Sequence, residues 1–196
     1  MLTTTVSHLE VYVGWKERED QSLDDLVTML KPQESPTEPM LRGRAFARCM
    51  ENAANGEVEE LSRDGYTFSF TGDFTIESFP RREESVEKDY GGIIVKARCD
   101  RRIGSLIVDD KTTSQFDAER YLNKVQWKYY LDMFGADIFT WYVWECKEMK
   151  EPKTYCIHSL HRLSQNRYDG LERDCRELAL EFRDFAAKNL SGYPYK

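Results

Sequence analysis

Several things are scarce in this 196-residue chain, and each absence narrows the reading. Basic residues do not dominate. Twenty-eight Lys and Arg against thirty-five Asp and Glu leave a formal net charge of −7, which speaks against a passive, sequence-indifferent binder of nucleic acid. An acidic total can still carry a local basic groove. No stretch approaches the roughly 18 apolar residues that span a bilayer, so no membrane partner is expected. Residues 1–20 hold no apolar run with basic flanks, so no signal peptide is expected either. The five cysteines, at 49, 99, 146, 156 and 175, are odd in number and form no CxxC pair. That usage predicts a reduced, cytoplasmic protein without a disulfide framework. Repeats and low-complexity tracts are also missing.

About 40% apolar and 13% aromatic residues are enough for a packed core. The length suits one domain: an N-terminal helical segment over 1–39, a core over 40–161 and a C-terminal helix over 162–196. Helical spacing of Leu23, Leu26, Val27 and Leu30 predicts a helix from Leu9 to Leu30. Prolines 32, 36 and 39 make Lys31–Pro39 a loop, and a second helix is predicted from Met40 to Ala54. Tyr66, Phe68 and Phe70 alternate with polar residues. Phe74 and Ile76 do so after Gly72-Asp73, which reads as a hairpin. The charged run Arg81–Asp89 reads as a solvated loop. Strands follow over Ile93–Asp100 and Leu106–Lys111, joined by a turn over Arg101–Ser105. Then come a helix over Asp117–Phe134, strands over Ile138–Glu145 and Thr154–Leu160, and a helix over Gln165–Leu190. The expected fold class is α/β in the mixed α+β sense, a central mixed sheet flanked by helices.

Chemistry concentrates in Ala97-Arg-Cys-Asp100 and Leu106-Ile-Val-Asp109-Asp110-Lys111. Side chains alternate along a strand, so Asp109 and Lys111 share a face. Asp100, just before the turn, comes within a residue or two of Asp109 on the neighbouring strand. Two carboxylates and an ammonium on one patch suit phosphodiester hydrolysis. Asp100 and Asp109 can hold Mg²⁺ or Mn²⁺, the backbone carbonyl of Asp110 is a further oxygen, and Lys111 can orient a water or meet developing charge. A lone D…DxK is more often an ordinary strand end, so the surroundings matter. The apolar Leu106–Val108 places Asp109 at the exit of a buried strand, where an unpaired carboxylate is costly. Gln126 and Tyr130 stand side by side at i, i+4 on a helix. Lys124 and Lys128 on that helix, and Arg42, Arg44 and Arg48 on an earlier one, offer DNA phosphate contacts. Glu51 would add a third carboxylate. A solvated helix face explains the arginines almost as well.

In this order, Glu51, Asp100, Asp109-x-Lys111 and Gln126-x-x-x-Tyr130 resemble the motifs of RecB-like PD-(D/E)xK nucleases. The segment SLIVDDKTTSQFDAERYLNKVQWKYYLDMFGADIFTWYVWE is especially similar to bacteriophage exonuclease-like members of that superfamily. The resemblance covers roughly Met40 to Glu145 and implies a restriction-endonuclease-like core. It also implies a metal-dependent deoxyribonuclease, often an exonuclease in recombination, repair or replication. Its implied metal ligands are Glu51, Asp100 and Asp109, and its catalytic lysine is Lys111. Gln126 and Tyr130 are implied to be active-site and DNA-contact residues. A single-strand annealing or recombination protein is an implied partner, and the host cytoplasm the setting if the source is viral. The chain departs from the pattern at Ala47, where many relatives carry a histidine ligand, and at Ala97, where they usually carry glycine. Cys49, Cys146, Cys156 and Cys175 lack the spacing of the iron–sulfur members, so no cluster is expected.

Three readings compete with an active nuclease. One is zinc at Cys156-x-His158-x-x-His161, which lacks an evident fourth ligand. The second is a catalytically weak or inactive relative that binds DNA ends or regulates a partner nuclease. The third is an interaction or inhibitory factor docking through its C-terminal helix.

Overall fold

The computed structural model describes residues 1–32, 35–53, 55–77 and 81–194, with the side chains of Arg81 and Arg82 outside the description. It is a mixed α+β fold around one central sheet. The N-terminal segment is not one helix. Strand β1 (Leu2–Thr5) leads into α1 (Val6–Lys16), and α2 (Leu23–Leu30) is separate. The break has a local cause. Ser22 and Asp25 form a reciprocal capping box that starts α2 afresh, while Trp15 Nε1 donates to the Ser22 carbonyl at 2.9 Å. After the proline-rich connection, of which residues 33 and 34 lie outside the described residues, α3 runs over Glu38–Asn52 with proline in its first turn. Its predicted end at Ala54 also lies outside them.

The predicted hairpin pairs differently. β4 (Tyr66–Phe70) pairs antiparallel with β3 (Glu60–Arg63), while the short β5 (Thr75–Ile76) pairs with β2 (Gly56–Glu57) in a separate ribbon. The β3–β4 turn is Asp64-Gly65, both at positive φ, the conformation a two-residue hairpin requires. The run Arg81–Asp89, predicted as a loop, is strand β6, antiparallel to β7 (Ile93–Ile103). Two ion pairs cross the ladder: Glu87 faces Lys96 and meets it at 2.7 Å, and Glu84, opposite Cys99, reaches Arg102 at 3.4 Å. Opposite charges facing one another support a strand that has little apolar content.

β7 turns at Gly104-Ser105 into β8 (Leu106–Thr113), so Arg101 lies on the strand and not in the turn. The predicted helix after β8 is two pieces, α4 (Glu119–Leu122) and α5 (Gln126–Phe134), the latter closed by Gly135 in the left-handed conformation. β9 (Ile138–Glu148) and β10 (Thr154–Asn166) form a long antiparallel pair, and α6 (Leu171–Asn189) follows. The sheet order is β1-β7-β8-β9-β10-β4-β3, with β6 on β7; β8–β9, β1–β7 and β10–β4 are parallel.

Two apolar clusters cover the sheet. The larger joins α1, α2, α5 and α6 to β7 and β9 through Leu9, Leu26, Tyr129, Trp141 and Phe182. The smaller packs α3 onto β4, β9 and β10 through Phe46, Phe68, Trp144 and Ile157. β8 serves both, with Ile107 in the larger and Val108 in the smaller, as a strand buried on two faces must. No helix among the described residues is long and apolar enough to cross a membrane.

Candidate active site

The central geometric feature is a fork. β7 and β8 pair only at Arg101↔Val108, Arg102↔Ile107 and Ile103↔Leu106. The next residues outward are Asp100 on one strand and Asp109 on the other, so the two carboxylates stand where the strands part. β8 continues beside β9, with Asp109 opposite Trp141 and Lys111 opposite Val143. Two adjoining cavities of about 950 and 820 Å³ open at the fork and share Met40, Arg44, Arg98, Asp100 and Lys111. The first reaches Glu51 on α3; the second reaches Asp109, Gln126, Tyr130 and the start of α1.

Lys111 Nζ donates to Asp109 Oδ1 at 2.9 Å and lies 2.7 Å from Oδ2. The Asp109 side chain is 4% exposed and the Lys111 side chain 35%. Gln126 Nε2 reaches the same Oδ1 at 3.4 Å, while Tyr130 donates its hydroxyl to the Arg98 carbonyl at 2.7 Å. Burial first, then the charge of Asp109, pushes the Asp100 carboxyl up to about 7; Lys111 opposes this, and Glu51 adds to it. Burial works against the charge on Lys111, but Asp109 and Asp100 outweigh it and hold the ammonium above its ordinary range. Burial, followed by the nearby Asp109 charge, also raises the Tyr130 phenol, which therefore stays a donor.

The Asp110 carboxylate points away from this group. Its Oδ2 lies 2.7 Å from Arg101 Nε and its Oδ1 accepts from Arg101 Nη2 and Trp144 Nε1, each at 2.9 Å. With both oxygens engaged and its side chain 2% exposed, Asp110 could offer a metal only its main-chain carbonyl. Arg101, which the sequence reading placed in a turn, is 99% buried by this pairing and also donates to the Glu77 carbonyl at 3.0 Å. Nothing in the local pattern announces it except the adjacent aspartates of β8, whose side chains must alternate between the two faces of the sheet.

The predicted DNA-contact residues scatter. Arg44 is exposed and lines both cavities, with no ion pair among the described residues. Arg48 lines the α3-side cavity but pairs with Asp64 at 2.6 Å. The Arg42 guanidinium lies 5.0 Å over the Tyr155 ring, outside both cavities. Lys124 sits close enough to Lys111 and Asp109 to feel their charges, although burial is the main cause of its lowered pKa. Lys128 lies over the Trp127 and Tyr168 rings at 5.7 and 5.9 Å, away from the fork. Arg98, which the sequence reading did not single out, lines both cavities and meets Glu83 at 3.4 Å. Its signal was alternation with Asp100 on β7.

Donor chemistry at the fork suits a hard divalent cation. Asp109 Oδ2 is buried and, although near Lys111, makes no hydrogen bond, and Asp100 sits beside it with a carboxyl whose pKa burial and the Asp109 charge raise. A cation would relieve both. As the side chains lie, however, no three His, Cys, Asp or Glu residues among those described are gathered tightly enough to hold a metal. The zinc alternative finds no cluster either. His161 Nε2 meets Glu145 at 2.9 Å and stacks on Phe116, His158 turns to Ser159, and Cys156 to Thr71.

Neither any family model nor any curated protein matches the chain. Among solved structures, the protein SSO0001 shares its fold at a TM-score of 0.52 and 16% identity, over 99% of this chain and 81% of that one. Lower-scoring likenesses include LHK-Exo in complex with dAMP (TM-score 0.40, 14% identity, 94% of this chain and 92% of that one). A candidate exonuclease from Eubacterium rectale scores 0.37 at 11% identity, over 94% of this chain and 80% of that one.

Proposed function

We propose that this chain is a metal-dependent DNA nuclease of the PD-(D/E)xK type with a restriction-endonuclease-like core, acting as an exonuclease on linear DNA. The observation that carries the reading is the convergence of Asp100, Asp109 and Lys111 at the fork, with Gln126 held to Asp109. Asp100 and Asp109, with Glu51 across the cavity, would hold Mg²⁺ or Mn²⁺. Such a cation supplies positive charge to the scissile phosphate and makes water a stronger acid. Lys111, partly exposed beside Asp109, would orient the attacking water and meet charge developing on the phosphate. Gln126 fixes the Asp109 carboxylate, and Tyr130 fixes α5 to β7 through the Arg98 carbonyl. Arg44 and Arg98 present cations to the DNA backbone at the cavity mouth. Roles in recombination, repair or replication, a phage setting and an annealing partner follow from the sequence resemblance alone.

The test is cleavage of linear and circular DNA by wild type and Asp109→Ala, with Mg²⁺, Mn²⁺ or EDTA. Metal-dependent loss of linear DNA only, absent from the variant and from Lys111→Ala, is the expected result, with both variants still folded by circular dichroism. Cutting of circles makes the enzyme an endonuclease. Wild-type rates in either variant would mean that the site lies elsewhere.

A catalytically weak or inactive relative, binding DNA ends or regulating a partner nuclease, is favoured by one observation. Glu51 does not join Asp100 and Asp109 in one three-ligand group as the side chains lie, and the Lys111 ammonium already pairs with Asp109 at 2.7 Å. Absence of cleavage on every substrate with either metal, alongside retained DNA binding, would select it.

A further inference from the structure

The N-terminal helix reaches the candidate active site through one side chain. α5 carries Gln126 and Tyr130 but has no side-chain cap of its own: its N-cap is Val125, in a helical conformation. The first amides of any helix have no partner within it. Here two of them are satisfied from α1, more than a hundred residues away in sequence. Glu10 Oε2 accepts from Val125 N at 2.9 Å and from Gln126 N at 3.1 Å. The second of these amides belongs to the residue whose side chain reaches Asp109.

We propose that Glu10 is a positioning residue for the candidate active site: by capping α5 from α1 it sets where Gln126 stands against Asp109. This rests on the nuclease reading above. The chemistry favours a carboxylate in this place. A negative charge at a helix N-terminus is stabilised by the helix dipole and by charge-assisted hydrogen bonds. Burial raises the Glu10 carboxyl, against which Lys124 and the two amides work; Glu17 is the other charge that it feels. Because α1 follows β1, which is paired to β7 from Leu2↔Ile93 to Thr5↔Lys96, the anchor is tied to the strand that carries Asp100. One carboxylate thus links the Asp100 strand to the helix beside Asp109.

Kinetics separate this role from simple stabilisation. A cap that only stabilised α5 would change the melting temperature and leave turnover per folded molecule alone. A cap that sets Gln126 changes kcat, and the effect disappears once Gln126 has no side chain to place. The experiment is a double-mutant cycle with Glu10→Ala and Gln126→Ala, measuring kcat and KM on linear DNA with Mn²⁺, corrected for folded fraction. Glu10→Ala is expected to lower kcat about tenfold, the scale of losing a cap, with KM within about twofold because DNA-facing residues are untouched. Glu10→Gln, which keeps an acceptor oxygen, is expected to restore most of kcat. In the Gln126→Ala background, Glu10→Ala is expected to add no further loss. An equal loss in both backgrounds, or wild-type kcat for Glu10→Ala, overturns the proposal. If Glu10→Ala does not fold, Glu10→Asp enters the same cycle, since its shorter side chain withdraws the carboxylate from the amides. Hydrogen exchange at Val125 and Gln126 gives a readout independent of cleavage. Fast exchange in Glu10→Ala is expected, and retained protection refutes the link. A wild type that cuts nothing would sink the nuclease reading, and amide exchange would then decide the Glu10 contact alone.

Discussion

Replacing Arg101 by methionine is expected to destabilise the protein more than any change at the cavity surface. The Arg101 and Asp110 side chains are 1% and 2% exposed and paired at 2.7 Å. Methionine fills much of the volume but leaves Asp110 without its cation, and breaking one partner of a buried pair costs about 3–5 kcal/mol. For a chain of this size each kcal/mol lowers Tm by about 2–4 °C, so the loss is about 6–20 °C. The sign with pH follows from Asp110. Burial already raises its carboxyl although Arg101 opposes it, and removal of Arg101 raises it further. A carboxyl with a raised folded-state pKa costs nothing below its unfolded pKa, where both states are protonated. Its full cost appears above the folded pKa. The deficit of Arg101→Met is therefore greatest at neutral pH and narrows on acidification. Adding Asp110→Asn, whose amide oxygen can still accept from Trp144, is expected to restore at least half of the lost stability. Urea unfolding of the single and double variants at neutral and acidic pH provides the measurement. A deficit below about 1 kcal/mol, the scale of a surface pair, or a double variant no better than the single one, would refute the reasoning.

Two further outcomes concern ligands. Arg44→Ala should weaken DNA binding and lower the slope of log K against log salt by about one phosphate contact, whereas Lys128→Ala, whose ammonium lies over Trp127 and Tyr168, should leave that slope unchanged in the same titration. Asp100, held at about 7 by burial and Asp109, binds more protons folded than unfolded. Its contribution therefore makes the metal-free protein lose stability as pH rises from about 4 to 7. Mn²⁺, which needs the carboxylate, should accordingly raise Tm more at about pH 8 than at about pH 6, and equal shifts in a thermal melt would contradict the assignment.

Local periodicity made part of the candidate site legible. Alternation put Asp109 and Lys111 on one face, and helical spacing put Gln126 beside Tyr130. What escaped was set by partners distant in sequence. β6 looks like a loop because its strand signal is charge complementary to Lys96 and Arg102, not apolar alternation. Arg101 reads as turn because two adjacent arginines lead into Gly104-Ser105, and only a buried Asp110 makes it core. Glu10 is one helix residue among many until α5, a hundred residues later, presents uncapped amides. The Asp64-Gly65 turn is readable, since Asp-Gly is a strong two-residue hairpin signal, but the alternation beyond Phe70 draws the pairing toward Ile76.

Adjacent aspartates on β8 create an ambiguity that the chain must resolve. Leu106-Ile107-Val108 would satisfy either face of a sheet apolar on both sides, and a slip of one residue would merely hand Arg101 the other aspartate. The apolar run by itself does not choose between the two registers, because both faces of the strand are buried. The fork breaks the tie. A slip that gave Arg101 the side chain of Asp109 would put Val108 beside Asp100 in place of Asp109 and carry Lys111 to the opposite face, away from both carboxylates. The register of β8 and the make-up of the fork are thus one choice: the pairing that buries Asp110 against Arg101 is the same pairing that turns Asp109 toward Asp100.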